Sequence, residues 1–342
     1  MSSSHCFCIA GHHIRINFND DDSQNNMGLL PSFRPFTINT PPSSSHLSPL
    51  TSHLFVMDVD DSLRPAKEKK LVRKFDTGNG DTIVHQLPDG GYQYIVRDIM
   101  GNDCCLLITN DKFSHCRCAL NGDWTMRSFG LNNALMMTFA FAGAYHQTML
   151  IHASATMIEE RKEESGERKE ERGERRDESE ERKEERGERR EDTEYIGFPF
   201  IAASGTGKST HTSLWLKHIK GAQLLNDDNP IIRIIDGTPY LFGSPWSGKT
   251  PCYRNRKTRL GAVTRIERAP ENSIERLSPI EAFASLLPAC SSMKWDEGTY
   301  RLLCDAITRI IETTPIYTLH CLPDEEAAQL SYQTLTEGWK RA

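Results

Sequence analysis

The amino-acid sequence predicts an α+β to α/β fold, in which a mixed sheet forms the larger core and a small β-rich domain precedes it. Short apolar runs separated by turn signals occupy residues 70–120. From residue 198 onward, strand-like apolar runs alternate with helical patterns. A highly charged repeat interrupts the chain between these regions. We therefore divide the 342 residues into 1–56, 57–128 and 129–342, the last interrupted by an insertion at 159–194.

The first region, residues 1–56, is rich in Ser, Pro, His and Asn and shows no sustained helical or strand period. Such a composition predicts disorder, or a spurious extension upstream of the true start. Met57 opens the first patterned region. The strands predicted in the β-rich domain are 71–75, 82–85, 92–96 and 105–108.

The core begins with a predicted helix at 131–147 and a buried strand at 149–158 that contains His152. A histidine in an apolar strand is either a hydrogen-bonded core residue or a catalytic or phosphate-contacting group, and the sequence leaves both open. The insertion then repeats every seven residues without an apolar position, so it has no seam to bury. We interpret it as a solvent-exposed expansion.

The charge distribution argues against a nucleic-acid partner. The net charge is −6, but residues 160–194 hold 17 acidic and 12 basic side chains, a net of −5, which leaves about −1 elsewhere. No basic face is implied. No apolar run is long enough to span a membrane or to form a signal peptide, and the ten cysteines are scattered. These features predict a cytoplasmic protein with no membrane partner, and a homo-oligomer is one open option.

A strand, a loop of small residues and a helical pattern follow one another at residues 198–219. This order is what a phosphate-binding loop needs, because backbone N–H groups can turn inward at the positive end of a helix. Lys208 can then reach the outer phosphates and Ser209 can hold Mg²⁺. The predicted nucleotide-binding residues are Ser204, Gly205, Thr206, Gly207, Lys208, Ser209 and Thr210.

A second stretch, residues 243–250, fits the pattern GxxxxGK[ST] at every position, whereas the first has Ala202 in place of the leading Gly. Context favours the first stretch. Pro251 follows directly and no helical period begins there, so the second stretch lacks a helix N-terminus. Lys249 and Arg254 are candidates to contact the transferred phosphoryl group or the substrate. The alternative is an ordinary surface loop with solvated charges.

Two adjacent carboxylates, Asp227 and Asp228, end a predicted strand downstream of Lys208. They could hold Mg²⁺ and accept a proton from a hydroxyl nucleophile, with Asp227 favoured for the metal and Asp228 for the base. The alternative is a turn formed by the Asn-Asp-Asp-Asn cluster. Further elements predicted in the core are helices at 278–291 and 298–312, a strand at 316–320 and a closing helix from 324.

His152, the loop ending in Lys208, and Leu224-Leu225-Asn226-Asp227-Asp228 follow the order found in HPr kinase/phosphorylase. The chain resembles that family over roughly residues 149–260, and its nucleotide core is similar to that of ATP-type phosphoenolpyruvate carboxykinase. The resemblance implies a P-loop core with a mixed sheet, ATP on the loop, and Mg²⁺ and proton handling by the Asp pair. The Glu-[Ile/Leu]-Arg-Gly signature of HPr kinase/phosphorylase is missing, and Gly243–Asn255 stands roughly in its place.

The expected activity is therefore that of a kinase, dependent on ATP and Mg²⁺, that phosphorylates a hydroxyl, such as Ser of a protein or peptide, or a small molecule. Two alternatives stay open: a carboxykinase-type enzyme and a non-catalytic nucleotide-binding regulator.

Overall fold

Two mixed sheets and five α-helices make up the described part of the chain, which in this computed structural model comprises residues 2–19, 24–38, 53–76, 80–160, 194–203 and 205–341. The strands up to the first helix are β1 (Ser3–Ile9), β2 (His12–Phe18), β3 (Phe55–Val59), β4 (Lys70–Asp76), β5 (Asp81–Gln86), β6 (Tyr92–Arg97), β7 (Asp103–Thr109) and β8 (His115–Leu120). The later strands are β9 (Thr148–Leu150), β10 (Ala153–Glu159), β11 (Tyr195–Ile201), β12 (Gln223–Asp228), β13 (Ile231–Ile235), β14 (Thr238–Phe242), β15 (Lys257–Leu260), β16 (Val263–Arg268), β17 (Ser273–Arg276) and β18 (Ile316–Cys321). The helices are α1 (Trp124–Ala144), α2 (Lys208–His218), α3 (Pro279–Leu286), α4 (Glu297–Thr313) and α5 (Glu325–Arg341).

The first sheet has the order β1-β2-β3-β8-β7-β6-β5-β4. It corrects the expectation that residues 1–56 are disordered or spurious, because β1 and β2 form an antiparallel hairpin and β2 pairs in parallel with β3. The alternation in β2 explains the pairing, since Ile14, Ile16 and Phe18 are buried while the residues between them are less so. The strands predicted at 71–75, 82–85, 92–96 and 105–108 are confirmed as β4 to β7.

Helix α1 joins the two sheets rather than belonging to the second alone. Asp123 caps its N-terminus by accepting from the Met126 N–H at 3.0 Å. Most of its apolar side chains are buried in a core shared with the first sheet, to which Trp246 of the second half of the chain also contributes. A domain boundary at 128/129 therefore cuts through a single helix, and this part of the predicted division is corrected.

The second sheet contains the path β17-β18-β16-β11-β15-β14-β13-β9, with β10 paired to β11 and β12. The single strand predicted at 149–158 is instead two strands, β9 and β10, that break at His152. Most of the charged insertion, residues 161–193, lies outside the described residues. The strands on either side of it pair directly and antiparallel, with Glu159 opposite Tyr195.

Strand β11 occupies the middle of the second sheet, and all seven of its residues are buried. It runs parallel to β16, which in turn runs parallel to β18. Because the carboxyl ends of parallel strands meet at one edge of a sheet, the loop after β11 emerges beside the end of β16. The helix predicted at 298–312, the strand at 316–320 and the closing helix are confirmed, whereas the helix predicted at 278–291 is the shorter α3.

None of the helices in the described ranges combines the length and the apolar character that a membrane span requires.

Candidate functional site

The Lys208 loop, residues 202–207, turns sharply between β11 and α2. Gly205 has a φ of 77° and Gly207 a φ of 129°. Side chains strongly disfavour these conformations, which accounts for the two glycines. Within the described residues no side chain caps α2 at Gly207. Its first N–H groups, at the positive end of the helix dipole, are therefore available to an anion. Ser204, predicted to bind nucleotide, lies outside the described residues.

Lys208, the first residue of α2, folds back over its own loop. Its side-chain Nζ donates a hydrogen bond of 3.1 Å to the Ala202 carbonyl oxygen, and the residue is only 8% exposed. Burial lowers the pKa of its ammonium group, while the nearby Asp228 and Asp227 carboxylates act in the opposite direction. The Lys208 ammonium group is thus held at the entry of the loop by a hydrogen bond to a backbone carbonyl. A phosphate oxygen could take the place of that carbonyl as the acceptor.

Arg268, at the end of β16, braces the same loop and was not predicted from the sequence. Its Nε donates to the Thr206 carbonyl oxygen at 3.0 Å and its Nη2 to the Gly205 carbonyl oxygen at 2.6 Å. Hydrogen bonds from one guanidinium to two successive carbonyls restrain the loop's backbone. No strand was predicted at β16, so the position of Arg268 at a strand end could not be recognised from the sequence.

Asp227 is the point where three segments meet. Ser209 Oγ donates to its Oδ1 at 3.0 Å, and the Thr250 N–H donates to its Oδ2 at 3.2 Å. Its backbone oxygen accepts from Ser247 Oγ at 3.0 Å and from the Gly248 N–H. Asp227, predicted to hold Mg²⁺, is therefore hydrogen-bonded directly to Ser209, the predicted hydroxyl ligand.

Asp228 faces His152 across the break between β9 and β10. Asp228 Oδ1 lies 3.1 Å from His152 Nε2, and the two side chains are 40% and 46% exposed. Asp228 Oδ2 accepts from the Asn229 side-chain amide at 2.7 Å. The expectation that His152 lies within an apolar strand is corrected, because it falls at the strand break and its ring is half exposed.

The backbone of Asp228 is strained, with a φ of 112°. An isolated bridge to Ser247 holds it in place. The buried Asn226 adds a second restraint, since its Oδ1 accepts from the Asn229 N–H at 2.9 Å. Strain retained at a half-exposed carboxylate is a common property of functional sites.

The Lys249 loop, residues 243–250, wraps around the Asp pair instead of opening a helix. The Asn226 side-chain amide donates to the Trp246 carbonyl oxygen at 3.0 Å. The Trp246 ring packs against Phe33 and Phe139, with ring centroids 5.8 and 5.3 Å apart. The residues after the loop, 251–256, have no regular secondary structure. This loop is therefore a support for the carboxylates.

The two basic residues predicted to be catalytic have different positions. Lys249 is exposed. It follows Gly248, whose N–H donates to the Asp227 carbonyl oxygen, so the backbone next to Lys249 is in contact with the Asp pair. Arg254 donates to Gln223 Oε1 at 2.9 Å, at the opposite end of β12 from Asp227 and Asp228. The contacts of Arg254 thus do not bring it to the Asp pair.

Two cavities border these residues and share no lining residue. One, of about 400 Å³, is lined by Thr206, Gly207, Thr210 and Arg268 together with apolar side chains from β16 and the end of β18. The other, of about 490 Å³, is lined by His152, Asp228 and residues of α1 and the Lys249 loop. One cavity thus belongs to the Lys208 loop and the other to the Asp228 carboxylate.

The donor set fits Mg²⁺ in the way that this ion is bound beside phosphates. The described residues contain no cluster of three or more His, Cys, Asp or Glu side chains placed to hold a metal. Magnesium is usually held by one or two carboxylates together with water and substrate phosphates. Ser209 and Asp227, already in contact, provide the two protein ligands that such a site requires.

No protein-family model and no curated protein sequence matches the chain. A functional assignment therefore rests on the fold and on the geometry of the site.

Proposed function

We propose that the chain is a phosphotransferase, dependent on ATP and Mg²⁺, that phosphorylates a hydroxyl group, and that its second sheet is a P-loop core of the HPr kinase/carboxykinase type. The observation that carries this proposal is the hydrogen bond between Ser209 and Asp227. It joins a strand–loop–helix anion site to a pair of carboxylates, the second of which borders a cavity. A phosphoryl donor site would thus lie next to an acceptor site.

The Lys208 loop would bind the phosphates of ATP. The N–H groups at the start of α2 would donate to the phosphates, and Lys208 would leave the Ala202 carbonyl to reach the outer ones. The cavity beside Thr206 and Thr210 is where the nucleoside would extend from the loop. Arg268 would keep the loop's carbonyls turned away from the phosphates.

The two aspartates would have different roles. Asp227 and Ser209 would hold Mg²⁺, which supplies charge neutralisation on the phosphates. Asp228 would accept the proton of the acceptor hydroxyl, since its carboxylate is half exposed at the second cavity. His152, within 3.1 Å of Asp228, would orient that carboxylate. Lys249 would contact the transferred phosphoryl group, whereas the contacts of Arg254 give it no such role.

The test is transfer of the labelled γ-phosphate of ATP, in the presence of Mg²⁺, to lysate proteins, free serine and small alcohols. The expected result is a labelled acceptor whose formation needs Asp228. ATP binding without transfer to any acceptor, unchanged in Asp228→Asn, would instead indicate a nucleotide-binding regulator. Release of carbon dioxide dependent on oxaloacetate would indicate a carboxykinase-type enzyme.

A further inference from the structure

The cavity at Asp228 has the dimensions of a small-molecule site. Its volume is about 490 Å³, within the range of roughly 300–1,000 Å³ typical of such sites. Residues of α1 form one wall and Trp246 and Tyr253 contribute to the wall from the second half of the chain. The aromatic residues and the helix enclose a space that opens onto the proposed base.

The charge of this cavity disfavours anionic occupants. Asp228 is its one carboxylate, and none of the described residues that line it is lysine or arginine. The cavity of the Lys208 loop differs, because Arg268 contributes to its lining. His152 already has its Nε2 against Asp228 Oδ1. An anionic group bound here would meet the Asp228 carboxylate, and the described lining offers it no lysine or arginine, which is unfavourable.

The hydrogen-bonding groups of α1 favour an occupant that donates. The Asn132 side-chain amide nitrogen donates to the Ser128 carbonyl oxygen at 3.0 Å, and that of Asn133 donates to the Phe129 carbonyl oxygen at 2.9 Å. Asn132 also donates to the Leu29 carbonyl oxygen at 3.4 Å, so both of its N–H groups are engaged, whereas Asn133 keeps one N–H. The groups of these two side chains left to contact a ligand are therefore two carbonyl oxygens, which accept from hydroxyl or amino groups, and one N–H.

We propose that the acceptor is a small hydroxyl compound without an anionic group, bound between α1 and the Lys249 loop. This inference rests on the proposed phosphotransferase function. In the reaction the acceptor oxygen forms a bond to the γ-phosphorus of ATP, and the bond from that phosphorus to the β,γ-bridging oxygen breaks. The acceptor proton passes to the Asp228 carboxylate, and ADP leaves.

The experiment compares acceptors that differ in an anionic group. Labelled ATP and Mg²⁺ are supplied with glycerol or glycerate, with serinol or L-serine, and with a short peptide containing serine. We expect kcat/KM for the uncharged or cationic member of each pair to exceed that of its anionic partner by about tenfold or more. Preference for the anionic members or for the peptide overturns the acceptor class. So does transfer to none of these compounds by a protein that binds ATP through Lys208. Failure to bind ATP at all would instead contradict the proposed function.

A charge placed in the cavity sharpens the test. Asn133→Lys should reduce the ratio of kcat/KM between the two members of each acceptor pair to about one, because the ammonium compensates an anionic group. Thr125→Lys adds the same charge at an exposed position of α1 outside the cavity and should leave the preference unchanged. Asn133→Asp, which keeps the side-chain volume, should widen it. Equal ratios in all three folded variants would overturn the proposal.

Discussion

The two glycine-lysine loops of this chain converge on one aspartate but differ in what their backbone donors do. In the Lys208 loop, α2 begins directly after Gly207, and no side chain in the described residues caps its first turn. In the Lys249 loop, the Gly248 N–H donates to the Asp227 carbonyl oxygen and the Thr250 N–H to its carboxylate. The first N–H groups of α2 thus have no side-chain cap in the described residues, whereas two N–H groups of the Lys249 loop are used on Asp227.

This difference shows why the more complete sequence match is the weaker candidate. Residues 243–250 satisfy every position of GxxxxGK[ST], yet Trp246 is packed between Phe33 and Phe139 and no helix begins directly after the loop. Anion binding depends on N–H groups aligned with a helix dipole, and the pattern of letters does not contain that information. The second loop instead holds Asp227 through its Gly248 and Thr250 N–H groups and the Ser247 hydroxyl.

The largest expected effect separates the two lysines. Lys208→Ala should lower phosphoryl transfer about 10³-fold, because it removes a preorganised positive charge from the phosphates. Lys249→Ala, the matched change in the other loop, should lower it by less than about tenfold, since Lys249 is exposed. Steady-state kinetics and titration with a fluorescent ATP analogue measure both. Equal losses in the two variants would contradict the assignment of the nucleotide loop.

The next effect tests Asp228, the neighbour of the aspartate on which both loops converge. Asp228→Asn should lower turnover by about 10²-fold or more, since the amide cannot accept the acceptor proton. Nucleotide affinity should stay within about threefold of the parent, because the contact to Ser209 is made by Asp227. A matched loss of binding in Asp228→Asn would show that Asp228 is part of the nucleotide site. Turnover at the parental rate would exclude it as the base.

A smaller effect tests whether the Lys249 loop acts by positioning. Cβ of an alanine at residue 248 would lie 3.0 Å from Cβ of Asp228 and 3.4 Å from the Asp227 carbonyl oxygen. Gly248→Ala should therefore displace the Asp pair by a few tenths of an ångström and lower turnover about tenfold. Gly298→Ala is the control, since its Cβ would make only an ordinary contact of 3.5 Å. Identical kinetics for both variants would remove the positioning role.

The backbone strain at Asp228 predicts that a substitution there can raise stability while it lowers turnover. Glycine adopts a φ of 112° more readily than aspartate, so Asp228→Gly should raise the free energy of unfolding by about 1 kcal/mol while abolishing turnover. Urea denaturation compares it with Asp228→Asn, which keeps the strain. A glycine variant less stable than the asparagine variant would show that the aspartate conformation is not strained.

The sequence was informative where one segment determined its own structure. The Lys208 loop followed from a strand, small residues and a helix within about 20 residues, and the Asp pair from the end of one strand. Arg268 could not be found this way, because its contact with the loop needs β11 and β16 to be paired across more than 60 residues. The exposure of His152 likewise depends on a strand break set by pairing with different neighbours.

Strands β1 and β2 were missed for another reason. The alternation of Ile14, Ile16 and Phe18 was present, but the surrounding polar and charged composition was given more weight than the period of two. The hairpin joins the sheet through the pairing of β2 with β3, which lies beyond a segment of more than 30 residues. Composition describes a whole segment, whereas burial acts on individual positions.

The last comparison concerns how α2 and the Lys249 loop respond to acidic pH. Helix α2, which carries Lys208, contains the buried His211, while the Lys249 loop contains no histidine. Ser331 Oγ donates to the Ala328 carbonyl oxygen and lies 3.0 Å from His211 Nε2, so the ring must donate to it from Nε2. Nδ1 of His211 is buried without a partner in the described residues. Burial lowers the pKa of His211 from 6.5 to about 4, because a proton on Nδ1 would be unsatisfied.

The unfolded chain takes up this proton near pH 6.5 and the folded chain only near pH 4, so stability is lost as the pH falls through this window. Between pH 7.5 and 5.5 His211 should remove about 1 kcal/mol. His12, whose pKa burial lowers to about 3, adds a similar loss in the first half of the chain. His211→Gln, whose amide can still donate to Ser331, should abolish only the His211 part, as measured by urea denaturation at both pH values. If the free energy of unfolding of this variant falls by the same amount between the two pH values, α2 is no more sensitive to acid than the Lys249 loop.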